Sequence, residues 1–221
     1  MKEVYLGDKN KVNLMNNEPF FSVIVPEHNS SQYMRKGLDS IKEQTFKDYE
    51  LIIVCDACID NTVEIAKEYS NLIYEINEKT PGAARNLALD EAIGKWILFM
   101  DDDDWFLDKQ AFEKLANKCK NTNKDVITFD FIEGPAGRMK GGMGYVAVWN
   151  KAWRKSFIDS KPYRFTLWDH GEDALFAKET RQIATSENLN EALYYYNYPR
   201  VGSIRWREQQ GEFKTHEYKN I

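Results

Sequence analysis

Four short apolar runs, with helical spacing between them, constrain this chain more than any other feature. Phe21-Ser22-Val23-Ile24-Val25, Leu51-Ile52-Ile53-Val54, Leu72-Ile73-Tyr74-Glu75-Ile76 and Trp96-Ile97-Leu98-Phe99-Met100 are strand-length and rich in β-branched and aromatic residues. Runs that stay apolar on consecutive positions belong to strands buried on both faces, as in parallel sheets. Between them, Met34, Leu38 and Ile41 fall on one stripe behind a capping Ser30 or Ser31. Asp60-Asn61-Thr62 opens a second helix with Val63, Ala66 and Tyr69. Pro81-Gly82 opens a third with Ala84, Leu87, Ala88 and Ala92, closed by Gly94 at its C′ position. The alternation predicts an α/β fold: a Rossmann-like open, mostly parallel sheet with helices on both faces and right-handed crossovers. Ligands bind outside the carboxyl ends of the strands in such a sheet.

The second half is less regular. A helix carrying Phe112, Leu115 and Cys119 leads to the strand Val126-Ile127-Thr128-Phe129. Residues 134–144 hold Gly134, Pro135, Gly137, Gly141, Gly142 and Gly144, which predicts a mobile loop able to order over a ligand as lids do. Residues 145–149 read as a strand, 172–180 as a helix and 193–198 as an aromatic strand. With no repeat or linker in view, a single domain over 1–221 is the simplest account.

Composition narrows the function class. A net charge of −5 argues against a general nucleic-acid binder. No stretch approaches the ~20 apolar residues of a membrane helix, and the first residues lack a signal-peptide core. The expectation is a soluble, cytoplasmic protein. Aromatic residues reach 14% and gather late in the chain, which suits stacking on sugars or bases and suits a core equally well.

The chemistry-bearing residues sit at the predicted strand ends: Pro26-Glu27-His28-Asn29, Asp56, and the run Asp101-Asp102-Asp103-Asp104. Four adjacent carboxylates repel one another, which is cheap on a solvated loop and costly at a sheet end unless a cation compensates. If the run is extended, Asp101 and Asp103 share a side roughly 7 Å apart. One can then bind a hard divalent cation while the other orients its water or a ligand hydroxyl. Oxygen-only ligands suit Mn²⁺ or Mg²⁺, completed by substrate phosphates. Pro81-Gly82-Ala83-Ala84-Arg85-Asn86 opens a helix whose free N–H groups favour an anion. Arg85 either adds a bidentate contact to a diphosphate or makes a surface ion pair. Cys55 and Cys58 form a C-x-x-C, read either as a redox pair or as two ordinary buried thiols. Glu172-Asp173 is either a helix N-cap or a catalytic acid–base site.

Taken together, these segments resemble the family 2 glycosyltransferases. Phe21 to Pro26 with Asn29, Leu38-Asp39-Ser40-Ile41 with Gln44-Thr45, and Asp56 with Asp60-Asn61-Thr62 are similar to the family's opening blocks. Gly82 to Asn86, Phe99 to Trp105, Trp149-Asn150-Lys151, Gly171-Glu172-Asp173 and Tyr194-Tyr195-Tyr196 with Gly202-Ser203-Ile204 follow in the family's order. The resemblance covers the chain from about Phe21 to Trp206 and implies a GT-A fold, with a nucleotide-sugar half over about 20–105 and an acceptor half over about 106–221.

It also implies roles. Pro26, His28, Asn29 and Asp56 would meet the nucleoside, and Arg85 the diphosphate. Asp101 and Asp102 would meet the nucleotide-sugar, Asp103 would be the metal ligand of a DXD motif, and Asp173 would be the base that deprotonates the acceptor hydroxyl. His216 is either a further metal ligand from a C-terminal segment folding back or a surface histidine. Three positions depart from the family pattern: Glu27, His28 and Cys55, all at the nucleotide pocket. Arg205-Trp206 resembles the end of the processive synthases' Q-x-x-R-W, but Gly202 stands in the glutamine's place, so one transfer per encounter is expected.

The implied reaction is inverting, Mn²⁺- or Mg²⁺-assisted transfer of one sugar from a UDP-sugar to an acceptor hydroxyl. The acceptor is a glycan or another hydroxyl-bearing molecule, a modified nucleic-acid base included. The alternatives are a non-catalytic nucleotide-sugar binding module and a sugar-phosphate nucleotidyltransferase.

Overall fold

The computed structural model describes residues 4–6, 18–161, 163–168 and 171–211. In chain order the elements are β1 (Val4–Leu6), β2 (Phe21–Glu27), α1 (Met34–Lys42), β3 (Tyr49–Asp56), α2 (Thr62–Ala66), β4 (Leu72–Ile76), α3 (Pro81–Glu91), β5 (Trp96–Phe99) and β6 (Trp105–Phe106). They continue with α4 (Ala111–Lys120), β7 (Val126–Glu133), β8 (Gly137–Met139), β9 (Lys151–Arg154), α5 (Lys155–Asp159), α6 (Glu172–Arg181), β10 (Ser186–Tyr196) and α7 (Ile204–Gln209).

One sheet runs β1-β4-β3-β2-β5-β9-β7-β10-β6, with β8 on the side of β7. The four apolar runs are its parallel part, β4-β3-β2-β5. Beyond β5 the sheet is mixed: β9 is antiparallel to both β5 and β7, and β10 is parallel to β7. Period-2 alternation sends Val23, Val25, Leu51, Ile53 and Cys55 to one face, against Leu38 and Ile41 of α1 and Phe112 and Leu115 of α4. Ile24, Ile52 and Val54 go to the other, against Ala84 and Ala88 of α3 and Phe176 of α6. Both faces are thus covered, as continuous apolar runs require.

Several local expectations change. α3 starts as predicted, with Pro81 at its first position and the Thr80 hydroxyl accepting the Ala83 N–H at 3.3 Å. It stops at an extended Ala92 rather than at a Gly94 C-cap. Gly94 instead presses on β2: its N–H reaches the Ser22 hydroxyl at 2.8 Å, and a Cβ would lie 2.6 Å from the Ser22 nitrogen.

Residues 145–149 form no strand. The carbonyls of Tyr145 and Ala147 turn to the buried Nζ of Lys151, and the strand begins at Lys151. Residues 134–144 are a tethered hairpin rather than a free loop. Its β8 pairs with β7 at Phe131↔Met139, and the buried Asp130 carboxylate takes N–H groups from Arg138, Lys140 and Gly141. β10 begins at Ser186 and ends at Tyr196, longer at its start than the aromatic run suggests.

Candidate functional site

The carboxyl ends of β2, β3 and β5 converge, and the turns that follow them are laced together. After β2, Asn29 sits at φ 50° and accepts the Ile59 N–H at 2.8 Å. The exposed His28 ring meets the Asp56 carbonyl at 2.6 Å and the Asn29 amide at 3.2 Å. After β3, Asp60 accepts the Ser31 N–H at 3.2 Å and the Thr62 N–H at 3.0 Å, while the Thr62 hydroxyl accepts the Ser30 N–H at 2.8 Å. Pro26 is paired across to Val54. The buried Asp56 carboxylate takes three backbone N–H groups, from Glu78, Lys79 and Thr80, each at 2.9 Å. It therefore organises the entrance to α3, a duty its sequence position did not disclose.

The four aspartates are a turn, not an extended segment. The Asp104 N–H reaches the Asp101 carbonyl at 3.3 Å, so the same-side spacing expected of Asp101 and Asp103 does not hold. Asp104 is fully buried, with its carboxylate accepting the Tyr194 hydroxyl and the Asn197 N–H at 2.8 Å each. Tyr194 in turn accepts the Asp101 N–H at 3.1 Å. Asp101 pairs with Arg85 at 2.7 Å, and Asp103 pairs with Arg200. The Arg200 guanidinium lies 4.2 Å from the centroid of the Tyr33 ring, whose hydroxyl reaches Asp102 at 3.4 Å. Gly37 of α1 makes room for this turn, since a Cβ there would sit 2.5 Å from the Asp104 carbonyl oxygen. Burial, and then the charge of Asp103, push the carboxyls of Asp102 and Asp104 well above the usual range.

Arg85 is 5% exposed and bridges the turn to α6, donating to Asp101 and to the buried Glu172. Its Nε is without a partner among the described residues. The next residue, Asn86, clamps the backbone of Phe165 by two 2.8 Å hydrogen bonds, and Gly82 lets the Thr166 carbonyl come within 2.1 Å of where a Cβ would be. The helix start thus packs against the segment that leads to Asp173, instead of facing solvent.

Asp173 lies in the first turn of α6, behind Gly171 at φ 81°, and accepts the Ala174 N–H at 2.7 Å. The N-cap position itself is Gly171, and no side chain caps this helix. Burial, followed by the neighbouring Glu172 charge, pushes the Asp173 carboxyl up to about 7 against the pull of Arg85. Lys151 faces the same region. Burial lowers its ammonium to about 7, opposed by the charge of Asp173.

The donor set fits a hard cation that takes one or two carboxylates and leaves the rest of its shell to phosphate oxygens. Asp101 and Asp103 keep side-chain exposures of 28% and 12% beside their arginines. An all-protein cage does not fit: among the described residues no three His, Cys, Asp or Glu groups stand close enough to hold a metal. His216 lies outside the described residues. Arg200, Tyr194, Lys151 and the Glu172–Arg85 bridge were not assigned from sequence. Tyr194, Lys151 and Glu172 did stand inside recognised segments, whereas Arg200 stood outside them.

The family model described as glycosyl transferase family 2 matches residues 22–173. The poly(ribitol-phosphate) beta-N-acetylglucosaminyltransferase TarS of Staphylococcus aureus is 30% identical over 207 residues, covering 82% of this chain and 36% of TarS. The chain thus spans about a third of that relative. The Bacillus subtilis protein described as putative glycosyltransferase EpsH is 27% identical, covering 89% of this chain and 66% of its own. Among solved structures, residues 1–349 of S. aureus TarS in complex with UDP-GlcNAc superimpose with a TM-score of 0.75 at 25% identity, over 83% of this chain and 59% of that one. No helix among the described residues is long and apolar enough to cross a membrane. With the match running from the first parallel strand to Asp173, on a sheet shared with those structures, this chain belongs to glycosyltransferase family 2.

Proposed function

We propose that the chain transfers one sugar from a UDP-sugar to an acceptor hydroxyl, with inversion at the sugar carbon and Asp173 as the general base. One observation carries the reading. A helix-start carboxyl pushed up to about 7 is joined, through Glu172 and Arg85, to an acidic turn at the end of a parallel strand. A base that titrates near the working pH is well matched to proton abstraction. The acceptor oxygen approaches the sugar carbon from the side away from the diphosphate. As the new C–O bond forms, the bond to the diphosphate breaks and the acceptor proton passes to Asp173.

Pro26, His28, Asn29 and Asp56 form the nucleoside end of the site, and Asp101 and Asp102 take the ribose and sugar. Arg85 offers its unpartnered Nε to a phosphate oxygen. Mn²⁺ or Mg²⁺, held through Asp103 with Asp101 beside it, supplies positive charge to the departing diphosphate when bound. The TarS complexes with UDP and with UDP-GlcNAc support a uridine donor and make N-acetylglucosamine the first sugar to try. The names of the relatives make a ribitol-phosphate polymer the first acceptor, ahead of other glycans. The cytoplasmic setting expected from the sequence belongs to this reading.

The test is a thermal-shift screen of UDP and UDP-sugars with and without Mn²⁺, followed by mass spectrometry of products on ribitol-phosphate and glycan acceptors. Ligand at about 100 times its Kd adds about 2.7 kcal/mol to folding stability, a clear shift. Transfer that disappears in Asp173→Asn while UDP binding stays supports the assignment. Metal-dependent UDP binding and donor hydrolysis that both survive in Asp103→Asn would remove the metal role. Binding without turnover on every acceptor would favour the binding module, and pyrophosphate release from UTP would favour the nucleotidyltransferase.

A further inference from the structure

Cys55 and Cys58 have no part in the transfer just described, yet they flank Asp56 at the nucleoside end of the site. Cys55 is buried at the end of β3, in register opposite Glu27 of β2. The chain then turns through Asp56 and Ala57, the latter at φ 52°, which returns Cys58 over the same pair of strands. The Cys58 thiol lies 3.6 Å from the Glu27 carbonyl oxygen and 3.9 Å from that of Asp56. Glu27 is the cross-strand partner of Cys55, so the two sulfurs share one side of the sheet. Both pack into the same apolar cluster. All three cysteines of the chain are free. Cys119, the third, is buried against α4's side of the core, away from this turn.

The geometry points to a reversible thiol–disulfide site at Cys55–Cys58, taking small-molecule disulfides as its oxidant and closing across the turn that carries Asp56. Half-buried Cys58, next to the 92% exposed Ile59, is the accessible sulfur, and Cys55 is the resolving one. The Cys55 thiol hydrogen bond holds Cys58 down at about 7, with His28 adding to it, so a thiolate is available there. The Cys58 thiolate attacks one sulfur of a disulfide RSSR, forming Cys58–S–S–R and releasing RS⁻. Cys55 then loses its proton and attacks the Cys58 sulfur, closing the protein disulfide and releasing the second RS⁻. Two protein thiols have lost two electrons and two protons, and RSSR has become two RSH.

Closure withdraws the Cys58 sulfur from the Glu27 and Asp56 carbonyls. It thereby strains the short links that hold this turn, from Asn29 to Ile59 and from His28 to the Asp56 carbonyl. Resting on the donor reading above, the consequence is weaker binding of a uridine nucleotide in the oxidised form, restored on reduction.

The experiment incubates the full chain with oxidised glutathione and reads intact mass after alkylation, then measures UDP binding by calorimetry before and after dithiothreitol. Support requires loss of two hydrogens in the wild type and in Cys119→Ala, a trapped glutathione adduct in Cys55→Ser or Cys55→Ala, and neither product in Cys58→Ser. It also requires UDP binding weakened at least several-fold by oxidation and recovered by reductant. Disulfide closure in Cys58→Ser, no adduct in either Cys55 variant, or unchanged UDP affinity after closure would overturn it. A reduced protein that binds no UDP defeats the donor reading instead, and the mass measurements then still decide whether the thiol site exists.

Discussion

Asp56 and Asp173 are both carboxylates at the margin of one sheet, and they are held in opposite ways. Asp56 ends a strand of the parallel half and is saturated by three backbone N–H groups at 2.9 Å. Asp173 opens a helix in the mixed half, takes one N–H, and sits among Glu172, Asp101, Arg85 and Lys151, where burial lifts its carboxyl to about 7. The first arrangement fixes a loop, holding Lys79 at φ 60° within it. The second keeps a proton acceptor poised and unsatisfied, which costs stability. On the proposed function, the first region is complementary before a ligand arrives and the second is the one that reacts.

Asp173→Asn tests that separation most strongly. Transfer should fall by about 10²–10⁴-fold, with UDP affinity changed little. Stability should move the other way. A carboxyl whose folded pKa is raised contributes stability that is complete below its unfolded value, near 3.8, and is lost as pH rises through about 7. Removing the charge should therefore raise Tm at pH 8 by the equivalent of on the order of 2 kcal/mol, by a smaller part of that at pH 5, and little below pH 4. A difference in Tm between wild type and variant that is the same at pH 8 as below pH 4 would show that Asp173 titrates as an ordinary carboxylate.

Arg85→Met comes next. It strips two carboxylates, Asp101 and Glu172, of their common buried cation, and breaking such pairs typically costs about 3–5 kcal/mol. Arg85 also lowers Asp173, so its loss should move the acidic limb of the pH–rate profile, where the base loses its proton, to higher pH. Urea denaturation and the profile, with Arg85→Lys as a milder second variant, check both. Asp56→Ala should cost less, about 2–3 kcal/mol, because it leaves three N–H groups without their acceptor but beside solvent. UDP affinity should fall with it while the pH–rate profile stays in place. A profile that moved would mean the two regions are coupled after all.

The difference between the regions also decides how much the sequence discloses. Strands β2 to β5 are legible because burial on both faces writes itself as unbroken apolar runs, and α3 announces itself by Thr80 and Pro81. The positions of Asp56, Asp101 and Asp173 at element ends follow from the same pattern. The shape of the acidic turn does not, because it is set by Tyr194 and Asn197, 90 and 93 residues away. The hairpin at residues 137–141 looks mobile because of its glycines, while its anchor, Asp130, lies within an apolar strand. Residues 145–149, Tyr-Val-Ala-Val-Trp, have strand composition, but two of their carbonyls belong to a lysine. Wherever a polar side chain from a distant element fixes the backbone, local pattern has no access to it.

That lysine gives the smallest and most specific test of the comparison. Lys151 is fully buried, and Nζ donates to the carbonyls of Tyr145 and Ala147 and to the Asn150 side chain. Lys151→Met removes the cost of burying an ammonium but orphans those acceptors, so the two terms oppose and the net change should be about 1 kcal/mol. Interaction between two titrating groups is reciprocal. The Asp173 charge raises Lys151, so the Lys151 charge must lower Asp173, and Lys151→Met should shift the acidic limb to higher pH. The shift should be smaller than that of Arg85→Met, because Arg85 keeps its charge at every working pH whereas Lys151 loses its own near 7. A limb that moves for Arg85→Met and stays fixed for Lys151→Met would confine the electrostatic control of Asp173 to the arginine bridge. A fall in kcat at every pH with the limb unmoved would instead make Lys151 a support for the 145–150 backbone, whose Trp149 stacks 4.8 Å from Tyr194 and so reaches the acidic turn by packing alone.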